Sequence, residues 1–334
     1  MKIYNYILKP LDLKYNIKEL NIEDICFLDI ETTGLSREHN IIYLIGLVYY
    51  DKENKGWNLV QYFADKKDEE KNILQEFSNF INNFKIVITF NGQSFDMPFI
   101  EYRLNKYRFK NNLKNLKSMD IYRKIKKENP YLQLENLKLK TIEKSLGIFR
   151  NDRYTGKDCI KFYYQYLNTK DESLLERILK HNYDDLYYLV PIMKIFDIIE
   201  DTKSIYLKIE NKDVKIKIQD MGLQGDMFEI SCESSIREKN IIYYTDGYNF
   251  QWIDNKLKIK FESKKGKITP TKQCVFIDSP KCFFENNLKD LSSYVVPENI
   301  ILLQVENKFI MDNIKPIISE IISSSIYSNR VGGK

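Results

Sequence analysis

Two carboxylates, Asp29 and Glu31, stand two positions apart at the end of the apolar run 25–28. Alternate side chains of a β-strand point to the same face, so these two carboxylates should converge on one spot. Neighbouring anions raise each other's pKa unless a cation is shared between them, and no basic residue lies beside them in the sequence. Because Mg²⁺ prefers carboxylate oxygens, the pair predicts a metal site that can act on phosphate groups.

A third carboxylate, Asp96, follows a short apolar run and an Asn91-Gly92 turn, at the start of a predicted helix. An isolated Asp at a helix N-terminus usually does no more than stabilise the helix by its charge. Asp96 therefore becomes a candidate for chemistry only in combination with the first pair.

A late predicted helix carries His181 and Asp185 four positions apart, on one helix face. Taken alone, this spacing is most often a His–Asp pair on a solvated surface. Asp184 points about a quarter-turn away and is the weaker candidate.

The elements around these motifs alternate in a way that indicates a mixed α/β sheet. Three strand signals follow one another closely, which predicts an antiparallel meander; helices and two further strands come next. A proline inside the last helix should kink it. The predicted strands cover 25–30, 41–50, 57–63, 85–90 and 116–122, and the predicted helices cover 68–82, 95–107, 141–146, 157–167 and 173–200.

A length of 334 residues favours two domains. From about residue 203 the pattern changes to period-two alternation with recurrent glycine turns, followed by a helical tail near 311–327. We therefore expect a lead-in at 1–23, an α/β domain at 24–200 and a smaller β-rich accessory domain at 201–334.

Composition bounds the class of protein. The apolar fraction of 43% suits a globular chain, and the net charge of +5 is too weak to imply nucleic-acid binding by itself. The start of the chain does not resemble a signal peptide, and no apolar run is long enough to span a membrane, so the cytoplasm is expected. The cysteines form no CxxC pair, which argues against a zinc site or a disulfide framework: Cys26, Cys159, Cys232, Cys274 and Cys282.

The order of the three motifs resembles that of the DEDD 3′–5′ exonucleases of the ribonuclease-H-like superfamily. Within that superfamily the chain is most similar to the YprB-like predicted exonucleases, through Glu143, Leu146-Gly147, Asp152 and Gly156. The resemblance covers about residues 24–199. The matching motifs are Asp29-Ile30-Glu31-Thr32-Thr33-Gly34, Asn91-Gly92-x-x-Phe95-Asp96-x-Pro98-Phe99 and His181-Asn182-x-x-Asp185.

The resemblance implies a five-stranded mixed sheet flanked by helices and a two-metal mechanism with Mg²⁺ or Mn²⁺ about 3.5–4 Å apart. It implies that Asp29 bridges both ions and that Glu31 and Asp185 hold the ion beside the attacking water. Asp96 then acts through water, and His181 orients or deprotonates the attacking water. His181 and Asp185 are four positions apart, which matches the spacing of the tyrosine subclass, whereas the histidine subclass has a step of five.

Single-stranded DNA or RNA is the implied partner. Thr32, Thr33 and Gly34 would contact the 3′-terminal nucleotide, and Asn91 and Phe95 are further candidate contacts, although Phe95 is equally suited to the core.

Two basic segments leave alternatives open. The stretch 103–127, rich in Lys, Arg and Tyr, fits a single-strand groove or a solvated surface equally well. The lysines between 256 and 267 could bind phosphate, although protection of an edge strand is the favoured interpretation.

The leading hypothesis is a metal-dependent 3′–5′ exonuclease. A structure-specific endonuclease on the same scaffold is the enzymatic alternative. A nucleic-acid-binding protein without activity is the third, and the presence of all four carboxylates argues against it.

Overall fold

A computed structural model describes residues 1–11, 13, 21–150, 154–278 and 288–331; Asp152 and Cys282 therefore lie outside the described residues. The chain forms two compact units. The first contains Met1–Lys127 and Leu134–Phe196, and the second contains Glu128–Gln133 and Asp197–Lys334. The domain limits at residues 24 and 200 stay predictions, because compactness alone does not define a domain.

The first unit is built on a mixed six-stranded sheet with the strand order β1-β4-β3-β2-β5-β6. β2 runs parallel to β5 and β5 parallel to β6, while the other neighbours are antiparallel. The strands are β1 (Lys2–Ile7), β2 (Ile25–Thr32), β3 (Ile42–Asp51), β4 (Gly56–Phe63), β5 (Ile86–Thr89) and β6 (Lys117–Asp120).

This architecture confirms the predicted ribonuclease-H-like class, with one strand more than the five expected. The additional strand is β1, which pairs with β4 at the edge of the sheet. Its residues Ile3 and Ile7 are exposed, so the apolar positions of β1 do not mark a buried face and the sequence pattern gave no strand signal there.

Helices cover the sheet and also occur at the end of the chain. Two predictions were wrong in detail. Residues 121 and 122 begin a helix instead of ending a strand. The helix predicted across 173–200, with a kink at Pro191, is interrupted near that proline as expected, but it forms two separate helices, because Pro191 lacks a backbone N–H. The helices are α1 (Glu70–Phe80), α2 (Asp96–Lys106), α3 (Ile121–Glu128), α4 (Leu139–Ser145), α5 (Gly156–Thr169), α6 (Glu172–Ile192), α7 (Ile195–Thr202) and α8 (Met311–Val331).

Helix α6 packs on the centre of the sheet at a glycine. Gly46 of β3 is paired with Asp29 of β2, and a Cβ at Gly46 would lie 2.2 Å from Asn182 Oδ1 and 2.4 Å from Leu186 Cδ1. Both of these side chains belong to α6. The absence of a side chain at Gly46 therefore allows α6 to approach β2 and β3 closely.

The second unit is β-rich and ends in α8, as predicted. It contains two four-stranded sheets, ordered β10-β9-β8-β7 and β11-β12-β13-β14. The lysines between 256 and 267 fall on β10 and β11, which are edge strands, so their position agrees with edge protection. The strands are β7 (Ser204–Ile209), β8 (Lys212–Gln224), β9 (Met227–Tyr244), β10 (Tyr248–Glu262), β11 (Lys264–Lys267), β12 (Gln273–Asp278), β13 (Ile300–Val305) and β14 (Lys308–Phe309).

Within the described residues, no helix has both the length and the apolar character that a membrane span requires. The four described cysteines are buried and form no disulfide with one another: Cys26, Cys159, Cys232 and Cys274.

Candidate active site

Strand β2 brings Asp29 and Glu31 to one face of the sheet. Asp29 Oδ2 accepts a 2.7 Å hydrogen bond from Asn182 Nδ2, and Glu31 Oε2 accepts a longer one of 3.4 Å from the Tyr43 hydroxyl. Glu31 is buried, which raises its pKa to about 8, and the charge of Asp185 adds to the effect. The alternation of the strand thus places both carboxylates as the sequence predicted.

Asp96 is the first residue of α2 and reaches back to the same strand. Its Oδ1 accepts a 3.1 Å hydrogen bond from the backbone N–H of Ile30, which lies between Asp29 and Glu31. Burial raises the pKa of Asp96 to about 7, although the hydrogen bond from Ile30 opposes this shift. A residue 66 positions along the chain is therefore joined to the Asp29–Glu31 pair.

Helix α6 adds His181 and Asp185 from above the sheet. His181 Nε2 lies 3.7 Å from Glu31 Oε1 and 3.8 Å from Asp185 Oδ2. These distances are too long for hydrogen bonds, but they place the imidazole beside both carboxylates. Asp184 faces away and pairs with Lys180 at 2.8 Å, one turn along the helix.

The four carboxylates form one electrostatic cluster. Burial raises the pKa of Asp29 well above its ordinary value, and the charges of Asp96, Asp185 and Glu31 raise it further. The pKa is raised because a negative charge is unfavourable in a low-dielectric pocket that contains other anions. The chemistry of this donor set suits a hard divalent cation such as Mg²⁺ or Mn²⁺.

The present side-chain orientations are nevertheless those of a pocket held together by protein contacts. In the part of the chain that the structure describes, no three His, Cys, Asp or Glu side chains are arranged to hold one metal ion.

Asn182 is a supporting residue whose role the sequence did not reveal. It is fully buried, donates to Asp29 and accepts a 2.8 Å hydrogen bond from Gln61 Nε2 on β4. Gln61 also donates to the backbone carbonyl of Leu179. This chain of hydrogen bonds fixes the orientation of the Asp29 carboxylate relative to α6.

Asp120, at the end of β6, is a second supporting residue that the sequence did not reveal. It is buried and accepts hydrogen bonds from the backbone N–H groups of Asn91 and Gln93, at 2.9 and 3.1 Å. Asn91 adopts a left-handed conformation with φ of 65°. Asp120 thereby holds the turn that leads into α2 and positions Asp96.

Arg150 is a third residue that sequence reasoning missed. Its Nη1 donates a 2.5 Å hydrogen bond to Asp185 Oδ1, and its Nε donates to Glu143 Oε2 at 3.0 Å. Glu143 belongs to the motif that resembles the YprB-like exonucleases. No local pattern indicates the pairing of Arg150 with Asp185, because the two residues lie 35 positions apart.

The predicted substrate contacts lie in two loops. Thr32 Oγ1 donates to the carbonyl of Gly34, and Thr33 Oγ1 accepts from the backbone N–H of Ile41, so both hydroxyls shape the loop after β2. Phe95 packs against Phe99, with ring centroids 5.5 Å apart, in agreement with a core role.

Asn91 is exposed and is one of the residues that line a cavity of about 300 Å³. The other lining residues are Phe90, Tyr122, Leu137 and Lys138.

One member of the basic stretch 103–127 is not a surface residue. Arg103 is 2% exposed and forms a buried ion pair with Glu70, so it is unavailable to a nucleic acid. Glu70 Oε1 also accepts from the backbone N–H of Ile42 at 2.9 Å. The remaining lysines of the stretch are exposed, and the choice between groove and solvated surface stays open for them.

Solved structures with partial similarity to this chain include a DNA polymerase and an exonuclease. A family B DNA polymerase from the archaeon Pyrobaculum calidifontis matches 53% of this chain with 12% identity and a TM-score of 0.41. Escherichia coli exonuclease I in complex with single-stranded DNA matches 64% with 9% identity and a TM-score of 0.32. The present chain covers 25% of the polymerase and 55% of exonuclease I.

No functionally curated protein has a significantly similar sequence. The model of the RNase_H superfamily, in contrast, matches residues 26–196, which is more than half of the chain and spans the whole carboxylate cluster. The chain therefore belongs to the RNase_H superfamily.

Proposed function

We propose that this protein is a divalent-metal-dependent 3′–5′ exonuclease that hydrolyses phosphodiester bonds of single-stranded DNA or RNA. Within the superfamily, we place it nearest to the YprB-like predicted exonucleases, on the motif around Glu143 and Leu146-Gly147. The four described cysteines are buried and form no disulfide with one another, which suits a reducing compartment such as the cytoplasm.

The observation that carries the proposal is the meeting of four acidic side chains and one histidine from three separate elements. This arrangement destabilises the folded protein, because buried anions repel one another. Such destabilising clusters of titratable groups occur mostly at functional sites. In a member of the RNase_H superfamily, the cluster supports nuclease chemistry.

Asp29, Glu31, Asp96 and Asp185 are the residues that would hold the divalent ions. Bound there, such ions would supply positive charge that offsets the charge of the phosphodiester and lowers the pKa of the attacking water. In hydrolysis, the water oxygen bonds to phosphorus while the bond to the 3′ oxygen of the preceding nucleotide breaks and that oxygen takes a proton. His181, within 4 Å of Glu31 and Asp185, is suited to move the proton of the attacking water.

The test uses 5′-labelled single-stranded DNA and RNA with Mg²⁺ or Mn²⁺. We expect a ladder that shortens from the 3′ end and releases nucleoside 5′-monophosphates. Internal cuts would support an endonuclease instead. Binding without any cleavage would support the inactive nucleic-acid-binding alternative.

The first prediction concerns Asp29→Asn, which removes a charge but keeps the shape of the side chain. We expect cleavage to fall roughly a thousandfold, which corresponds to several kcal/mol of lost transition-state stabilisation. The melting temperature should stay the same or rise, because repulsion among the carboxylates is relieved.

Asp184→Asn is the matched control, since Asp184 lies next to Asp185 but pairs with Lys180 outside the cluster. It should retain activity within about threefold. Unchanged cleavage by Asp29→Asn would count decisively against the assignment.

A further inference from the structure

Arg150 carries a positive charge into the carboxylate cluster. Its side chain is 5% exposed and contacts Asp185 and Glu143 at 2.5 and 3.0 Å. Both ion pairs are therefore largely withdrawn from water, where charge interactions are stronger than at a surface. Asp185 is also one of the four carboxylates to which the proposed function assigns metal binding.

Arg150 has an anchor that does not depend on Asp185. Glu143, on α4, is 1% exposed and accepts from Arg150 Nε through Oε2. Its other oxygen, Oε1, is buried and accepts no hydrogen bond from any described residue. The guanidinium also lies over the ring of Tyr188, 5.7 Å from its centroid. Glu143 Oε1 can therefore accept a hydrogen bond from a second N–H of the guanidinium, as in a bidentate Arg–carboxylate pair.

We propose that Arg150 is a built-in counter-ion that competes with a divalent cation for Asp185. The inference rests on the proposed function, because it takes Asp185 to be a metal ligand. In the metal-free protein, Arg150 neutralises Asp185. When a cation binds, Asp185 leaves the guanidinium, which remains on Glu143. Arg150 therefore raises the concentration of divalent cation at which the site fills.

The experiment measures the binding of Mn²⁺ alone to the full chain, by calorimetry and by electron paramagnetic resonance of free Mn²⁺. Arg150→Met keeps much of the side-chain volume and removes the charge. We expect it to bind Mn²⁺ about tenfold more tightly than the wild-type protein, because Asp185 is released from its ion pair.

Lys180→Met is the matched control. It removes the same charge from the helix that carries Asp185, but Lys180 is exposed and pairs with Asp184. We expect its Mn²⁺ affinity to stay within about twofold of wild type.

The route through Asp185 is tested by adding Asp185→Asn to both proteins. The tighter Mn²⁺ binding caused by Arg150→Met should disappear when residue 185 is asparagine. If the gain persists, the effect is a general change of charge and the proposal fails. Weaker Mn²⁺ binding by Arg150→Met would also overturn it, because Arg150 would then support the ligand geometry.

Glu143→Gln provides an independent variant in case Arg150→Met does not fold. With its alternative anchor weakened, Arg150 should hold Asp185 more firmly, so Mn²⁺ binding should weaken. Tighter binding by Glu143→Gln would contradict the proposal. Undetectable Mn²⁺ binding by every protein, wild type included, would overturn the proposed function as well, whereas equal and measurable affinities would overturn only the role of Arg150.

Discussion

At the scale of single residues, burial raises the pKa of three carboxyl groups of the cluster, Asp29, Glu31 and Asp96. Glu31 ionises near pH 4.5 in an ordinary environment, but burial and the charge of Asp185 raise its pKa to about 8. For Asp96 the corresponding change is from 3.8 to about 7, again chiefly because of burial. Without a bound cation, Glu31 and Asp96 therefore hold more protons in the folded protein than in the unfolded chain. This difference exists at pH values between the ordinary pKa of each group and its raised pKa.

This linkage gives a pH prediction for the metal-free protein. Stability falls with rising pH wherever the folded state holds more protons, so the free energy of unfolding should decrease as the pH rises from 6 to 9. Carboxyl groups whose pKa is lowered on folding, such as Asp65 and Asp158, are ionised in both states in this range and contribute no slope. We expect the melting temperature in EDTA to drop by about 5 °C, and added Mg²⁺ to reverse the loss at high pH.

Glu31→Gln serves as the control for this pH effect. Its amide cannot ionise, so the melting temperature of the variant should decline less steeply than that of wild type over the same range. Parallel curves for the two proteins would show that the raised pKa of Glu31 does not contribute to the pH dependence.

At the scale of elements, the cluster depends on how closely α6 approaches the sheet. Gly46 leaves room for Asn182 and Leu186, and Asn182 then joins Asp29 to Gln61 through hydrogen bonds of 2.7 and 2.8 Å. Because His181 and Asp185 lie on the same helix as Asn182, any displacement of α6 moves them away from β2. The close packing of α6 on Gly46 thus sets the distance between Asp185 on α6 and the carboxylates of Asp29 and Glu31 on β2.

Gly46→Ala is the corresponding prediction. The added Cβ would overlap the side chains of Asn182 and Leu186. Neither can move away easily, because Asn182 is held by hydrogen bonds to Asp29 and Gln61 and Leu186 is fully buried. We expect the free energy of unfolding to fall by about 2 kcal/mol and cleavage to fall by more than tenfold, measured by urea denaturation and by the oligonucleotide assay.

Gly156→Ala is the matched control, because a Cβ at the start of α5 meets no atom within 4 Å. It should leave activity unchanged and stability within about 0.5 kcal/mol or slightly higher. Equal effects of the two alanine substitutions would refute the role assigned to Gly46.

At the scale of the whole molecule, the chain does not divide at one point in the sequence. Residues Glu128–Gln133 belong to the second unit, although residues on either side of them belong to the first. Tyr131 is buried in the core of the second unit, with its ring 5.2 Å from Phe309 and 4.2 Å from Lys203 Nζ. A fragment ending at residue 200 would lose these partners of Tyr131.

Tyr131→Ser should therefore have opposite effects in two contexts. In the full chain, it should lower the free energy of unfolding by about 3 kcal/mol, measured by urea denaturation, because it empties part of a packed core. In a fragment of residues 1–200, it should increase solubility, measured by sedimentation, because it removes an aromatic ring that has lost its partners. Unchanged stability of the full chain with this serine would show that Tyr131 is not held in the core.

The sequence alone determined the nature of the elements and the identity of the acidic residues. Period-two alternation and helical spacing are local properties, so β2, α2, α6 and the β-rich second unit could be predicted from neighbouring residues. The same local rules placed Asp29 with Glu31, and His181 with Asp185, on shared faces. They failed where a strand is exposed on its apolar positions, as in β1, and where a strand passes directly into a helix, as at Asp120.

Only the tertiary structure decided which partners these carboxylates have. Asn182 is 153 positions from Asp29, and Arg150 is 35 positions from Asp185, so no local pattern connects them. Arg103, which composition assigned to a basic surface, is buried against Glu70 for the same reason. Ion pairs and hydrogen bonds of this kind depend on strand register and on the approach of helices to the sheet, which are set by packing between residues distant in the chain.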